Sequence, residues 1–195
     1  MRKVGLLGGT FDPVHNGHLL AAQAACEAAK LDEVWFIPTL SPPHKPQPGE
    51  SSDNRRQMLE EAIATNPAFR VEDIELQREG TSYTIDTVTA LQEQYPDIMF
   101  YWIVGSDMVK DLPNWRKINE LAERLSFIGL ERPDQPADDT MLPVFIRRRL
   151  LRASMPPMGI SSTDIRRRVK EGRSIRYMLP ETVIDFIVRG HLYES

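Results

Sequence analysis

The strongest constraint on what this chain can fold into is its alternation of short, uninterrupted apolar runs with longer amphipathic ones. The runs KVGLLGG, EVWFIPT, FRVEDIEL, IMFYWIVG and LSFIGLER read as strands. Several are apolar on both faces, as strands are when helices cover both sides of a parallel sheet. The pattern between them predicts helices over 17–30, 53–65, 84–94 and 114–123, each bounded by proline, glycine or a capping residue. Strand and helix in alternation require right-handed crossovers, hence a doubly wound α/β sheet. The strand pattern is expected to stop near residue 143, and two further helices are predicted over 163–171 and 180–189. Residues 1–195 therefore read as a single domain, with a sheet-bearing core over about 1–143 and a helical C-terminal extension over about 144–195. Two stretches read as loops, the proline-rich TLSPPHKPQPGESS and the acidic ERPDQPADDT.

Composition excludes several classes of function. A chain of 195 residues is long enough to bury a core of its own, and a net charge of −4 argues against wrapping nucleic acid, which needs a broad basic excess. Any anion site must therefore be local. Cys26 is the single cysteine, so there is no disulfide framework and no CxxC pair, and a reducing compartment is expected. The opening MRKVGLLGG is too short in apolar residues for a signal h-region, and no run is long enough to span a bilayer. The chain reads as soluble and cytoplasmic, with no membrane partner. Its oligomeric state stays open, a homodimer being compatible with the sequence.

Within GLLGGTFDPVHNGHLLAAQAA, the glycines Gly8 and Gly9 follow the first strand, and His15 and His18 stand where a helical pattern begins. In a doubly wound sheet this strand-to-helix turn is where ligands bind. Gly8 and Gly9 permit close backbone approach to a phosphate, and Gly17 allows a tight helix start. The spacing fits neither the dinucleotide fingerprint nor the P-loop. As zinc ligands the two histidines lack an intervening glutamate and a nearby third ligand. As structural residues they would be ordinary packing at a helix start. As paired donors beside a helix N-terminus they would suit a phosphoryl group carrying transition-state charge.

GGTFDPVHNGH resembles the first signature of the H-x-G-H nucleotidyltransferase superfamily, with His15, Gly17 and His18 in its fixed positions, and GISSTDIRRRV resembles its second, I-S-S-T-x-[IL]-R, over Ile160 to Arg166. The segments PPHK, SYTIDT, GSD and RYMLPETVIDFIVRGHLY narrow the resemblance to the bacterial nicotinate-nucleotide adenylyltransferases. The match runs in order along nearly the whole chain. It implies a Rossmann-like fold and adenylyl transfer from ATP, with its accompanying Mg²⁺, to nicotinate mononucleotide. Related enzymes acting on nicotinamide mononucleotide or phosphopantetheine, and a non-catalytic nucleotide-binding module, are the alternatives.

The resemblance assigns charge compensation at the reacting phosphates to His15, His18, Lys45 and Arg166. It implies ATP contacts at Gly8, Gly9, Thr10, Phe11, Gly17, Gly105, Asp107, Arg132, Ile160, Ser161, Ser162 and Thr163. His44, Thr84 and Trp115 would meet the mononucleotide. Each has a plainer reading beside it. Ser161 and Asp164 form an S-x-x-D capping box, which is simply a sound helix start. Asp107 and Thr84 could be helix N-caps, Trp115 a core aromatic, and His44 and Lys45 part of an exposed turn. Arg167, Arg168, Lys170 and Arg173 read as a solvated face. No protein metal site is expected, because Mg²⁺ would be held by ATP phosphates and water.

Overall fold

Strand β1 (Arg2–Gly9) leads into helix α1 (Asn16–Ala29), and β2 (Glu33–Pro38), α2 (Ser52–Ile63) and β3 (Phe69–Val71) follow. Next come α3 (Thr84–Gln94), β4 (Ile98–Gly105), α4 (Ser106–Asp111), a 3₁₀ turn at Leu112–Asn114 and α5 (Ile118–Arg124). The order ends with β5 (Ser126–Glu131), α6 (Val144–Arg147), β6 (Leu150–Ser154), α7 (Ser162–Lys170) and α8 (Glu181–Arg189). This computed structural model describes residues 1–40, 48–78, 80–131 and 139–194. The six strands form one sheet in the order β3-β2-β1-β4-β5-β6, the doubly wound order expected of strand–helix alternation.

The chain divides into two units. The first comprises Met1–Leu7, Ala21–Trp35 and Ser82–Pro157. In it β1 pairs with β4, β4 with β5 and β5 with β6, all in parallel. Val4, Leu6, Phe100, Trp102, Ile103, Phe127 and Ile128 are buried, consecutive residues included, which is why these runs look apolar on both faces in the sequence. Helix α4 packs on β4 and β5, and α3 packs on α5. The second unit comprises Gly8–Leu20, Phe36–Thr81 and Met158–Ser195, with α2 packed on α8 and β3.

Some boundaries differ from expectation. Strand β6 falls where the strand pattern was expected to have stopped. It is an edge strand, so only Ala153 is fully buried, while Leu151 is exposed and the LLRAS sequence lacks a two-sided apolar run. On it, Arg152 Nε lies 3.2 Å from Glu131 Oε1 and its guanidinium also pairs with Asp139. FRVEDIEL contributes only the three residues of β3: the Glu72 N–H still donates to Phe36 O of β2, but from Asp73 the chain turns, with the Leu76 N–H donating to Asp73 O. The helix expected over 114–123 starts later, at Ile118, because Lys117 takes a left-handed conformation (φ 52°). Among the described residues no helix is long and apolar enough to cross a membrane.

Candidate active site

The second unit contains both signatures. Beyond β1 the chain enters a turn through Gly9, Thr10 and Phe11, and Phe11 has a left-handed backbone (φ 49°), unusual for a bulky residue. Its ring is buried and covers Gly9. A Cβ on Gly9 would lie 2.9 Å from Phe11 Cζ, so the glycine is needed for close approach to the aromatic ring. The same ring meets His18 edge-on at 4.9 Å and Phe36 at 5.8 Å.

Side chains from distant elements hold this turn by its carbonyls. Arg55 of α2, with only 1% of its surface exposed, donates from Nη1 to Thr10 O (2.7 Å) and Thr39 O (2.9 Å), and from Nε to Glu50 O (3.3 Å). Arg166 of α7 donates from Nη1 to Asp12 O at 2.7 Å, and Ser162 donates its hydroxyl to Pro13 O at 2.8 Å. The Asp12 carboxylate is buried and its two oxygens have different donors: the Tyr193 hydroxyl to Oδ1 and the Gly49 N–H to Oδ2, both at 2.7 Å.

The histidines follow at once. His15 is 6% exposed and its carbonyl receives the His18 and Leu19 N–H groups, closing the first turn of α1. Its own N–H donates to His18 Nδ1 at 3.2 Å, which leaves Nε2 as the donor nitrogen of a neutral His18 ring. The rings stack, centroids 3.7 Å apart and planes 24° from parallel. Two imidazolium ions could not share that spacing without strong repulsion. Burial accordingly pushes the His15 pKa down to about 4, so this ring is neutral at pH 7. Its Nδ1 is buried without a hydrogen-bond partner among the described residues. Gly17 has a specific reason to be glycine here, since a Cβ would come within 3.0 Å of His15 Cε1 and Nδ1. Asn16 anchors the helix start, its backbone N–H donating to Met178 O and its side chain to Tyr177 O, each at 2.9 Å.

The second signature caps α7. Ser161 Oγ accepts the Asp164 N–H at 3.1 Å, as an S-x-x-D box does, while the Asp164 carboxylate pairs with Arg167. Ser161 and Thr163 are exposed, Ile160 and Ser162 half-buried, and Arg166 Nη2 also reaches Thr163 Oγ1 at 3.4 Å. Thus His15, His18, Gly9, Thr10, Phe11, Gly17, Ser162 and Arg166 are brought into one bonded cluster, with Gly8 exposed at the end of β1. Such a cluster of donors around a helix start can bind and polarise phosphate oxygens.

The first unit contains Thr84, Gly105, Asp107 and Trp115. Gly105, not Asp107, is the N-cap of α4; Asp107 is exposed in the first turn. A Cβ on Gly105 would meet nothing within 4 Å, so the glycine leaves open space beside the end of β4. Thr84 is likewise not an N-cap: Tyr83 is, and Thr84 is the first residue of α3. Trp115 is half-buried, edge-on to Trp102 and Phe127 at 6.5 Å each, so the core-aromatic reading covers only part of its ring. The next residue, Arg116, stacks its guanidinium over Tyr83 at 4.5 Å and so joins the Trp115 and Thr84 segments. His44, Lys45 and Arg132 lie outside the described residues.

Over residues 6–168 the chain matches the family described as cytidylyltransferase-like. The chain belongs to that family. Among cytidylyltransferase-like relatives, it is 43% identical over 196 residues, covering all of both chains, to the nicotinate-nucleotide adenylyltransferase of Bacillus subtilis. It is 46% identical over 201 residues, all of this chain and 93% of the other, to a Halalkalibacterium halodurans protein named "probable nicotinate-nucleotide adenylyltransferase". The fold matches Plasmodium falciparum nicotinic acid mononucleotide adenylyltransferase complexed with NaAD, with TM-score 0.80 and 20% identity over 100% of this chain and 98% of that one.

Asp12, Arg55, Gly49 and Tyr193 carry no signal in the sequence that marks them out. Asp12 lies inside the quoted signature without a chemical role of its own there, and the others are ordinary residues far away along the chain. Gly9 and Gly17 stood out in the sequence for close backbone approach and a tight helix start, whereas the Phe11 and His15 rings that lie beside them are seen only in the structure.

Proposed function

We propose that this protein transfers the adenylyl group of ATP to nicotinate mononucleotide, yielding nicotinate adenine dinucleotide and pyrophosphate, a step of NAD biosynthesis. The observation that carries the reading is the bonding of two signatures, 149 and 154 residues apart at Ser162→Pro13 and Arg166→Asp12, around one stacked histidine pair. The relatives named above support the substrate.

In this reading a phosphate oxygen of the mononucleotide attacks the α-phosphorus, and the bond to the bridging α–β oxygen breaks, so that pyrophosphate leaves with the electron pair. The nucleophile is already anionic, and no protein base is needed. The protein contributes position and charge compensation. His18 Nε2–H and the neutral His15 ring donate to oxygens whose charge grows in the transition state. Arg166, the hydroxyls of Ser161 and Thr163 and the backbone N–H of Ser162, whose hydroxyl is given to Pro13 O, hold the β and γ phosphates at the start of α7, where the helix dipole favours anions. Gly8, Gly9, Thr10, Gly105 and Asp107 complete the ATP contacts, with Lys45 adding charge at the phosphates. Mg²⁺ would accompany ATP, held by the substrate and water and not by a protein cage, and would supply further charge compensation at the phosphates. Trp115 stacks on the pyridine ring, and Thr84 donates its hydroxyl to the carboxylate.

Pyrophosphate release with nicotinate and nicotinamide mononucleotides tests this directly. The acid should be the far better substrate. Trp115→Ala should weaken both, by about 1–3 kcal/mol for a lost stacking contact, and Thr84→Val should narrow the acid-to-amide ratio of kcat/KM. Equal turnover of acid and amide by the unaltered protein, or an unchanged ratio in Thr84→Val, would refute the assignment of the carboxylate.

A further inference from the structure

We propose that Arg116 sets the preference of the site for an acid, its guanidinium lying over Tyr83 and pairing with the carboxylate of the pyridine substrate. The proposal rests on the reading that nicotinate mononucleotide is the acceptor. The guanidinium carbon stands 4.5 Å from the centre of the Tyr83 ring. Stacking engages the face of a guanidinium and leaves the N–H groups around its edge for an anion. Among the described residues Arg116 has no ion pair, although its neighbours do: Lys117 pairs with Glu120 at 3.3 Å, and Arg124 with the same glutamate at 3.0 Å. Arg116 is thus an exposed cation held in place by an aromatic ring and not by an acid.

Local geometry fixes where that charge stands. The Trp115 carbonyl accepts the Ile118 N–H at 3.2 Å, which closes a tight turn over Arg116 and Lys117, and Lys117 takes its left-handed backbone there (φ 52°). The turn follows Trp115 directly, and the ring that Arg116 covers belongs to the residue before Thr84. The start of α3 also has donors left over. Tyr83 caps the helix without a side-chain bond to it, and the Ser82 hydroxyl is buried without a hydrogen-bond partner among the described residues. An anion at that end would meet the positive end of the helix dipole as well as Arg116. The pyridine carboxylate is the group that the amide substrate lacks. An amide in its place carries no charge, and its NH₂ would face the guanidinium donor to donor. The phosphate is common to both mononucleotides, so pairing of Arg116 with phosphate would favour neither.

The test is pyrophosphate release by the full chain with nicotinate and nicotinamide mononucleotides at saturating ATP, with melting temperature recorded for every variant. Arg116→Gln should narrow the acid-to-amide ratio of kcat/KM roughly three- to tenfold, through the acid alone, and Arg116→Lys, which keeps the charge, should lose less. Tyr83→Leu leaves Arg116 in the chain but removes its platform, so it should narrow the ratio in the same direction and add nothing in the Arg116→Gln background. Equal loss for both mononucleotides would mean that Arg116 serves the phosphate or the fold. An unchanged ratio in either single variant would exclude the stacked guanidinium from recognition. Any of these results overturns the proposal. The unaltered protein separates the two readings: absence of an acid preference there removes the proposed substrate and the role of Arg116 together, whereas a strong preference that survives Arg116→Gln removes only the role of Arg116.

Discussion

Exchanging His15 for asparagine should flatten the acid side of the stability curve. The imidazole is buried, and burial holds its pKa at about 4, against 6.5 for an ordinary histidine. The folded value lies below the unfolded one, so as pH falls through 6.5 the unfolded chain takes up a proton that the folded chain refuses. Stability present above 6.5 is therefore lost progressively towards 4, and no more is lost below it. At about 1.4 kcal/mol per pH unit, the full gap amounts to about 3 kcal/mol. Between about pH 7 and pH 5 the expected part is about 2 kcal/mol. Other groups titrate in that window, among them Glu72, whose carboxyl burial pushes upward, so the quantity to measure is a difference. Urea unfolding at both pH values should show the native chain losing about 2 kcal/mol more than His15→Asn. Parallel losses would mean that His15 is solvated in the folded protein, and the buried, neutral donor would have to be abandoned.

His18→Ala should lower kcat about a hundred- to a thousandfold, the usual effect of removing a donor to transition-state charge, with little change in melting temperature. A near-normal kcat would exclude His18 from the chemistry. Gly17→Ala pits two effects against each other: alanine favours the α1 helix by up to about 1 kcal/mol, but its Cβ pushes on the His15 ring. Melting should hold or rise while kcat falls on the order of tenfold or more, and undiminished activity would show that the ring position is unimportant.

How much of this could be read beforehand depends on the range of the forces involved. Strands β1, β4 and β5 are legible because burial on both faces writes itself into consecutive residues, and α3 is legible to the residue at Thr84–Gln94 because its apolar spacing and flanks agree. Edge strand β6 is not, since its outer side answers to solvent. The histidine pair and the I-S-S-T-x-I-R segment were legible as signatures, but what holds them in place was not. Arg55 is an arginine on a polar helix by any local measure; only the fold buries it against three carbonyls. The plainer reading of Asp107 and Thr84 as N-caps does not hold either, because each lies one or two positions inside its helix, with Gly105 and Tyr83 taking the terminal place.

The separation along the chain of the bonds around Asp12 has a consequence for how the protein is made. Asp12 is synthesised early, but the donors that reach it and Pro13 come from Ser162, Arg166 and Tyr193, 149, 154 and 181 residues distant. Contacts of such range repay their loop-closure entropy only when much of the chain is already ordered. A nascent chain still lacking Met158–Ser195 carries both histidines and can use Arg55, yet it has nothing with which to fix the Asp12 and Pro13 carbonyls. The turn around Asp12 is among the first segments to leave the ribosome and among the last to acquire its shape, so, under the proposed function, an unfinished chain would not have a working phosphate site.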